Sequence, residues 1–435
     1  MSSIYCGRIA HLRESPWQRQ NTLEIIEAGA LLVNDAGRIV ALGERSALTA
    51  LAPEAKAVEF GEAWLLPGLV DGHVHFPQYY ATASYGRRLM DWLEQSIFPA
   101  EAAYSNVAFA QQAAADFVQQ LLACGTTTAM AFGSQFLPAT LALFEAAQAA
   151  GMRLIGGITL MDRWAPQVLL QTPQQAYDSA ERLISRCRGE SLLHYAITPR
   201  FAPSCTAAML DACGSLLRRH PGCYVQTHIN ESPAEVDVVA RSFPGSRHYL
   251  DVYDHFGLVG QQTMLAHDIH VSEPELLRMA EAGCAVCHCP SSNLYLGSGL
   301  FPLARHIQFG VSVAMGTDIG AGTHFSVWEE LSEAYKIQQL QGMTLGAGEL
   351  LYLATLGGAK ALRLEHESGN FLPGKSADFF VLEVEGYLKT RLQHCSSLED
   401  QLFCLLHLAT ARQVQATFVA GRRVWPHSNH GIMNQ

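Results

Sequence analysis

The central part of this 435-residue chain alternates short apolar runs with stretches of helical periodicity, and this alternation constrains the fold more than any other feature. The first run leads into His73 and His75, and helix-like stretches separate most of the runs from one another. The other seven runs cover residues 126–132, 153–161, 192–201, 223–231, 263–269, 284–290 and 311–318. Eight strands alternating with helices over roughly 250 residues predict an α/β fold, the (β/α)₈ barrel of the TIM type.

Both ends of the chain carry a different pattern. Residues 1–65 contain β-like runs such as GALLVNDAGRIVALG, in which Asp-Ala-Gly is typical of a hairpin turn. Residues from about 371 onward contain GKSADFFVLEV and VQATFVAGRRVW, which also favour strands. Because chain termini often lie close together, we expect residues 1–65 and 371–435 to form one small β-sandwich domain beside a barrel domain of residues 66–370.

Composition and charge argue against several classes of partner. The formal net charge of −11 offers no attraction to nucleic acid or to an anionic membrane. We find no apolar run of about eighteen residues that would span a membrane, and the first residues lack the order of a secretory signal. Eleven cysteines, an odd number in a chain without an export signal, predict free thiols rather than disulfides. We therefore expect a cytoplasmic protein.

Polar side chains gather where the predicted strands end. In a barrel of this kind the carboxyl ends of the strands carry the active site, whereas the opposite ends contribute to stability. One histidine at a strand end would be unremarkable, but several at the same rim, together with an aspartate, indicate a functional site. The strand-end residues are His73, His75, Arg200, His228 with Glu231, His267 and Asp318.

These residue types favour a metal centre. Three imidazoles and one carboxylate suit a cation such as zinc and leave one position for water, although iron and manganese are also acceptable to such a set. His73 and His75 lie two residues apart on a strand, so both point to one face and would share the metal. Water bound there would lose a proton near neutral pH. Asp318 could take up that proton, and Glu231 could carry a proton to the substrate.

Other motifs in the sequence would favour different sites. The stretch CAVCHC contains Cys284, Cys287 and His288 in the spacing of a haem attachment site, and its thiolates could also suggest a structural zinc. A second cysteine pair is missing nearby, and strand seven of the barrel explains the apolar context. The His-x-Glu and Pro-Cys-x-x-Cys motifs of thiolate-zinc deaminases are absent, and the Gly-rich stretch GSGLFPLARH opens no phosphate-binding turn followed by Lys-Ser or Lys-Thr.

A series of motifs carries a family resemblance. PGLVDGHVHFPQ, TPRFAPSC, QTHINE, AHDIHVSEPEL, HCPSSNLYLGSG and GTDIGAGTHFS occur in this order between about residues 65 and 330. The chain resembles the amidohydrolase superfamily in these motifs and, within it, the guanine deaminases most. The resemblance implies hydrolysis of a cyclic amidine C–N bond, which converts guanine to xanthine and ammonia, in a protein that is commonly a homodimer.

The resemblance also implies roles for individual residues. The family's metal ligands fall on His73, His75, His228 and Asp318. Its proton shuttle falls on Glu231 and its water-orienting or carbonyl-polarising histidine on His267, with Asp318 as the third catalytic residue. Substrate contacts fall on Gln78, Arg200 and Phe201, besides Glu231 and Asp318. Since no lysine occurs between Lys56 and Lys336, a centre with two metals bridged by a carboxylated lysine is excluded, and we expect one Zn²⁺ per chain, or iron.

Two alternatives stay open at this point. One is deamination of a related amino-heterocycle, such as 8-oxoguanine, an aminotriazine or a cytosine-like base. A pyrimidine would leave Gln78 or Arg200 unpaired, and a buried unpaired donor is unfavourable. The other is a metal-binding barrel without activity, which would have little need of Glu231.

Overall fold

A computed structural model describes residues 2–85 and 89–426 of the chain. Its strands, in chain order, are Ser3–Leu12 (β1), Leu23–Val33 (β2), Ile39–Glu44 (β3), Lys56–Pro67 (β4), Leu69–His75 (β5), Thr126–Phe132 (β6), Arg153–Gly157 (β7), Thr159–Leu160 (β8), Leu193–Pro199 (β9), Tyr224–Ile229 (β10), Thr263–His267 (β11), Ala285–His288 (β12), Ser312–Met315 (β13), Phe379–Leu382 (β14), Val414–Val419 (β15) and Arg422–Trp425 (β16).

The α-helices lie mainly between the strands of the central region. In chain order they are Arg45–Leu51 (α1), Leu89–Trp92 (α2), Phe98–Ala102 (α3), Val107–Ala123 (α4), Leu137–Ala150 (α5), Pro173–Cys187 (α6), Ala207–Arg219 (α7), Pro233–Ser242 (α8), Tyr249–His255 (α9), Glu273–Ala282 (α10), Pro290–Tyr295 (α11), Leu303–Gln308 (α12), Val327–Leu340 (α13), Ala347–Tyr352 (α14), Gly358–Ala361 (α15), Gly386–Leu392 (α16) and Leu398–Leu408 (α17). A five-residue π-helical segment, Leu93–Ile97, joins α2 to α3.

Eight parallel strands form the predicted barrel. Their spatial order is β5, β6, β7, β9, β10, β11, β12 and β13, and β8 adds a short pairing with β9. The barrel closes between β5 and the segment that follows β13. There the Asp318 N–H donates to the carbonyl of His73 and the His75 N–H donates to the carbonyl of Ile319, each at 2.9 Å. The prediction of a (β/α)₈ barrel from alternating runs is confirmed.

Strands from both chain ends combine in a second sheet of seven strands. Its order is β16, β15, β14, β4, β1, β2 and β3, so the first and last segments of the described chain meet, as predicted. The hairpin between β2 and β3 turns at Asn34 to Arg38, with Gly37 at φ +75°. Only a residue without a side chain adopts this conformation readily.

The chain passes from the terminal sheet to the barrel within a few residues. Leu65 and Leu66 still pair with β14 as part of β4, which ends at Pro67, and the barrel begins with β5 at Leu69. Proline has no N–H to donate to a ladder, and Gly68 leaves space that the Thr127 side chain fills, since an added Cβ would lie 2.1 Å from its hydroxyl. These two residues allow the chain to pass between the sheets.

Local sequence explains where several helices begin and end. Ser272 and Glu275 form a capping box at the start of α10, and Thr172 and Gln175 form another at α6. Gly283 follows α10 at φ +72°, the left-handed conformation that commonly ends a helix. Helix positions around the barrel are therefore set by short-range signals as well as by packing.

The barrel interior is a packed core below the site. Each of the eight barrel strands contributes at least one buried side chain to a single cluster: Val70, Met130, Ile155, Ala196, Tyr224, Met264, Ala285, Cys287 and Ala314, packed with residues of the segment 359–364. Cys287 is thus an interior packing residue, and all eleven cysteines are free, as expected. No helix in the described ranges is both long and apolar enough to cross a bilayer.

Candidate active site

Strand ends position the functional side chains at one mouth of the barrel. His73 and His75 lie at the carboxyl end of β5, His228 is on β10 and His267 is the last residue of β11. Arg200 follows β9 directly, and Asp318 lies three residues after β13. His267 and Asp318 have φ values of +73° and +48°. Such left-handed conformations are strained for residues other than glycine and cluster at functional sites, where surrounding contacts hold them.

Four of these side chains converge. One ligating atom from each of His73, His75, His228 and Asp318 lies within 4.8 Å of the others, and all four residues are buried. Asp318 Oδ1 is 3.2 Å from His73 Nε2 and 3.3 Å from His75 Nε2. His75 Nε2 is 3.1 Å from His228 Nε2. The donor atoms therefore face a common point.

The donor set fits one divalent cation. His73 Nε2 is buried and lacks a hydrogen-bond partner among the described residues, although Asp318 Oδ1 lies 3.2 Å away. A proton shared by His75 and His228 would satisfy those two nitrogens only. A cation at the common point would satisfy all four donors, and imidazole nitrogens with a carboxylate oxygen are ligands that zinc and iron accept.

Burial keeps the imidazoles in the form that ligates. Removal from water lowers the pKa of His73, lowers that of His75 to about 4 and lowers that of His228 well below its ordinary value. Burial acts to raise the pKa of Asp318, but interactions with His73 and His75 hold it well below its usual range. Neutral rings beside an ionised carboxylate are ready to bind a metal without first losing protons.

Backbone and amide acceptors fix which ring nitrogen faces the site. His228 Nδ1 donates to the carbonyl of Arg200 at 2.6 Å, so the lone pair of Nε2 points inward. His267 Nδ1 lies 2.9 Å from Asn293 Oδ1, and its Nε2 lies 3.7 Å from Glu231 Oε2 and 3.9 Å from Asp318 Oδ2. His267 therefore lies between two carboxylates rather than among the four converging donors.

Glu231 is a second buried carboxylate at the site. Its side chain is 4 % exposed, and Oε1 accepts a hydrogen bond from the Ser298 hydroxyl at 3.2 Å. Burial, followed by the negative charge of Asp318, raises the pKa of Glu231 to about 8. Two nearby carboxylates with pKa values pushed in opposite directions are typical of a site that moves protons at neutral pH.

A small cavity opens over these groups. The predicted residues His75, Gln78, Arg200, Phe201, His228, Glu231, His267 and Asp318 line it, and of the predicted set His73 alone is absent from the lining. Trp92, Leu93 and Leu296 add apolar walls. The cavity thus combines apolar surfaces with a few converging polar groups, as small-molecule sites do.

Some functional contacts were missed by sequence reasoning. Glu101 bonds to both Gln78 and Arg200, while Ser292, Asn293 and Ser298 bond to Asp318, His267 and Glu231 respectively. Serine, asparagine and glutamate are common on any surface, so their type carried no signal. The three residues near 295 do lie in the quoted stretch HCPSSNLYLGSG, which was the one available hint.

Comparison with known proteins gives a consistent result. A model of the amidohydrolase family matches residues 64–424. The chain is 41% identical over 415 residues to the guanine deaminase of Escherichia coli strain K12, covering 95% of this chain and 94% of that protein. It is also 41% identical over 427 residues to a probable guanine deaminase of Deinococcus radiodurans, covering 96% and 97%.

Solved structures agree. The Escherichia coli guanine deaminase superposes with a TM-score of 0.95 and 40% identity, covering 97% of this chain and 99% of that one. The guanine deaminase of C. acetobutylicum, solved with guanine in its active site, gives a TM-score of 0.90 and 26% identity, covering 97% and 100%. With its barrel, its converging donors and a family match over most of its length, the chain belongs to the amidohydrolase family.

Proposed function

We propose that this chain hydrolyses guanine to xanthine and ammonia, as a hydrolase acting on the C–N bond of a cyclic amidine. The observation that carries the proposal is the placement of Gln78, Arg200 and Phe201 around the cavity whose inner end holds the converging donors. Full-length relatives named as guanine deaminases, and a neighbour with guanine bound, support it.

His73, His75, His228 and Asp318 would hold one metal ion, and we assign Zn²⁺ to it, with iron as the alternative that the donors also accept. A divalent cation at such a site acts as a Lewis acid that lowers the pKa of water to near neutrality. The two ring nitrogens of His228 have separate roles, because Nδ1 donates to the Arg200 carbonyl while Nε2 faces the other donors.

Glu231 would move the protons. Its hydrogen bond from Ser298 engages Oε1, so Oε2, which faces His267, is the atom that can exchange a proton with substrate. In the deamination, Glu231 would protonate the ring nitrogen beside the reacting carbon, regain a proton from the attacking water and pass that proton to the leaving amine. His267 Nε2 and Asp318 Oδ2, 3.9 Å apart, would orient the attacking water.

Substrate would bind through complementary donors, acceptors and a ring face. The Arg200 guanidinium can donate to the purine carbonyl, the Gln78 amide can donate and accept, and Phe201 can stack on the ring. Phe201 has its ring centroid 6.3 Å from that of His228, so a base stacked on it would lie next to the converging donors.

The test is turnover by purified, metal-loaded protein. We expect loss of guanine absorbance with release of one ammonia per guanine, and slower turnover of 8-oxoguanine, an aminotriazine and cytosine. Turnover of one of these in place of guanine would reassign the substrate. No turnover of any of them by protein that carries a full complement of metal would refute deamination and favour the non-catalytic alternative.

Two further aspects stay predictions. A homodimer is expected, and light scattering of the purified protein measures its mass directly. A cytoplasmic location is also expected, and fractionation of cells that express the natural gene tests it.

A further inference from the structure

Glu101 on α3 is a buried carboxylate behind the substrate-facing side chains. It is 1 % exposed and does not line the cavity. Arg200 Nη1 donates to both of its oxygens, at 2.9 and 2.7 Å, and Gln78 Nε2 donates to Oε1 at 3.1 Å. Gln135 Nε2 donates to Oε2 at 2.7 Å. A single carboxylate therefore holds two side chains that the proposed function assigns to substrate.

These bonds set the orientation of both groups. Gln78 Oε1 accepts from the N–H of Gly320 at 3.1 Å while its Nε2 donates to Glu101, so the amide has one favoured orientation. Arg200 directs Nη1 at Glu101, and its guanidinium carbon lies 5.5 Å from the centroid of Phe98, which holds the planar group against a ring. Contacts to a ligand must then come from its other N–H groups.

The pairing also sets the charge that a ligand meets. Both members of the Arg200–Glu101 pair are almost fully buried, so little water screens them and each compensates the charge of the other. A guanidinium neutralised in this way can donate to a neutral carbonyl. It offers no net positive charge to an anionic ligand, which would also be repelled by the carboxylate behind it.

We propose that Glu101 is a positioning residue that determines substrate specificity: it aligns the Gln78 amide and the Arg200 guanidinium together so that both address one neutral purine ring. This inference rests on the proposed function. It adds a residue that acts through its neighbours and does not itself touch the substrate or the converging donors.

The test begins with Glu101→Gln, which keeps the size of the side chain but replaces one acceptor by an amide that faces the guanidinium. We expect kcat/KM for guanine to fall about 100-fold because the recognition groups are misplaced by a fraction of an ångström or more. The loss should appear mainly in KM, since binding contacts rather than the reacting groups are disturbed. Metal content per chain should equal that of the wild type.

Two comparison variants separate positioning from general damage. Glu101→Asp keeps the charge and should lie between wild type and Glu101→Gln in KM; it also serves if Glu101→Gln does not fold. Gln135→Met removes a donor from the same carboxylate, and within the described residues Gln135 forms no side-chain hydrogen bond with Gln78 or Arg200, so its KM should be much nearer the wild-type value. An equal rise of KM in Gln135→Met would overturn the proposal.

A double-mutant cycle tests whether Glu101 acts through Arg200. If it does, Glu101→Gln should reduce kcat/KM much less in an Arg200→Met background than in the wild type. Additive losses, or an unchanged KM in Glu101→Gln, would contradict it. Wild-type turnover measured in parallel keeps the two hypotheses apart: inactive wild-type protein refutes guanine deamination, whereas Glu101 can still be tested with any neutral heterocycle that the wild type does hydrolyse.

Discussion

Glu231 and Glu235 show how two identical side chains, four residues apart, acquire different roles. Burial is the main cause that raises both pKa values, to about 8 for Glu231 and about 7 for Glu235. Glu235 accepts hydrogen bonds from the Glu231 N–H at 3.0 Å and from the Tyr249 hydroxyl at 2.7 Å, so both of its oxygens are bonded to neighbouring residues. Glu231 has one such partner and an oxygen facing the cavity. The two glutamates therefore differ in role because their hydrogen-bond partners differ and because Glu231 lines the cavity.

Replacement of Glu231 by Gln should lower kcat about 1000-fold, because general acid–base catalysis is lost while the shape of the side chain is kept. Metal content and guanine affinity should change little. Steady-state kinetics and metal analysis measure both. Glu235→Gln is the matched control, with the same chemical change four residues further along the chain in the first turn of α8, and it should retain activity within about tenfold. Activity of Glu231→Gln close to that of its control would contradict the proton-transfer role.

At the scale of elements, one short segment after β12 holds three site residues. In and just after α11, Ser292 donates to Asp318 Oδ2 at 2.6 Å, Asn293 Oδ1 lies 2.9 Å from His267 Nδ1, and Ser298 donates to Glu231 Oε1. This segment therefore orients the side chains of Asp318, His267 and Glu231 together. A shift of α11 would disturb all three together.

Ser292→Ala should weaken metal affinity or activity about 10–100-fold, because groups that orient a metal ligand typically contribute that much. The neighbouring Ser291 bonds instead to Glu330, at 2.6 Å, so Ser291→Ala is the same substitution in the same helix without contact to Asp318. Titration of metal-free protein with Zn²⁺ and assay of the loaded form compare the two. Equal affinities would show that Asp318 does not need this donor.

The barrel and the rim could be predicted because their signals are local. The run 126–132 was predicted with the bounds that the structure has, and His73 and His75 converge because side chains two apart on a strand share a face. Glu101 gave no such signal. It lies on a short helix between β5 and α4, and its partners Gln78, Gln135 and Arg200 are brought to it only by the fold.

At the scale of the whole molecule, the terminal sheet is joined to the barrel at the end opposite the site. Arg153, the first residue of β7, forms a buried ion pair with Asp378 at 3.4 Å, just before β14. The Gly68 N–H also donates to the Asp378 carbonyl at 3.0 Å. Contacts at that end of a barrel contribute to stability rather than chemistry.

The division into residues 66–370 and the two terminal segments stays a prediction. The last nine residues of the second terminal segment, 427–435, lie outside the described range.

Removal of metal should lower the melting temperature of the whole protein, because a ligand that binds only the folded state stabilises it. The gain is about 2.7 kcal/mol when free metal is 100 times its Kd. Thermal unfolding with chelator and then with graded Zn²⁺ measures this. In Asp318→Asn, which lacks the ionised carboxylate among the four donors, the chelator should have a much smaller effect. An equal shift in both proteins would place the metal elsewhere.

The hydrogen bonds from Asp318 to His73 and from His75 to Ile319 join the first barrel strand to the segment after the last one. Some 240 residues of chain separate the partners in sequence, as the numbers 75 and 318 show. During synthesis, the histidines near residue 74 leave the ribosome long before the aspartate that completes their set. The set of four donors is therefore completed late in the biogenesis of this protein, and a nascent chain that stops short of residue 318 lacks one of them.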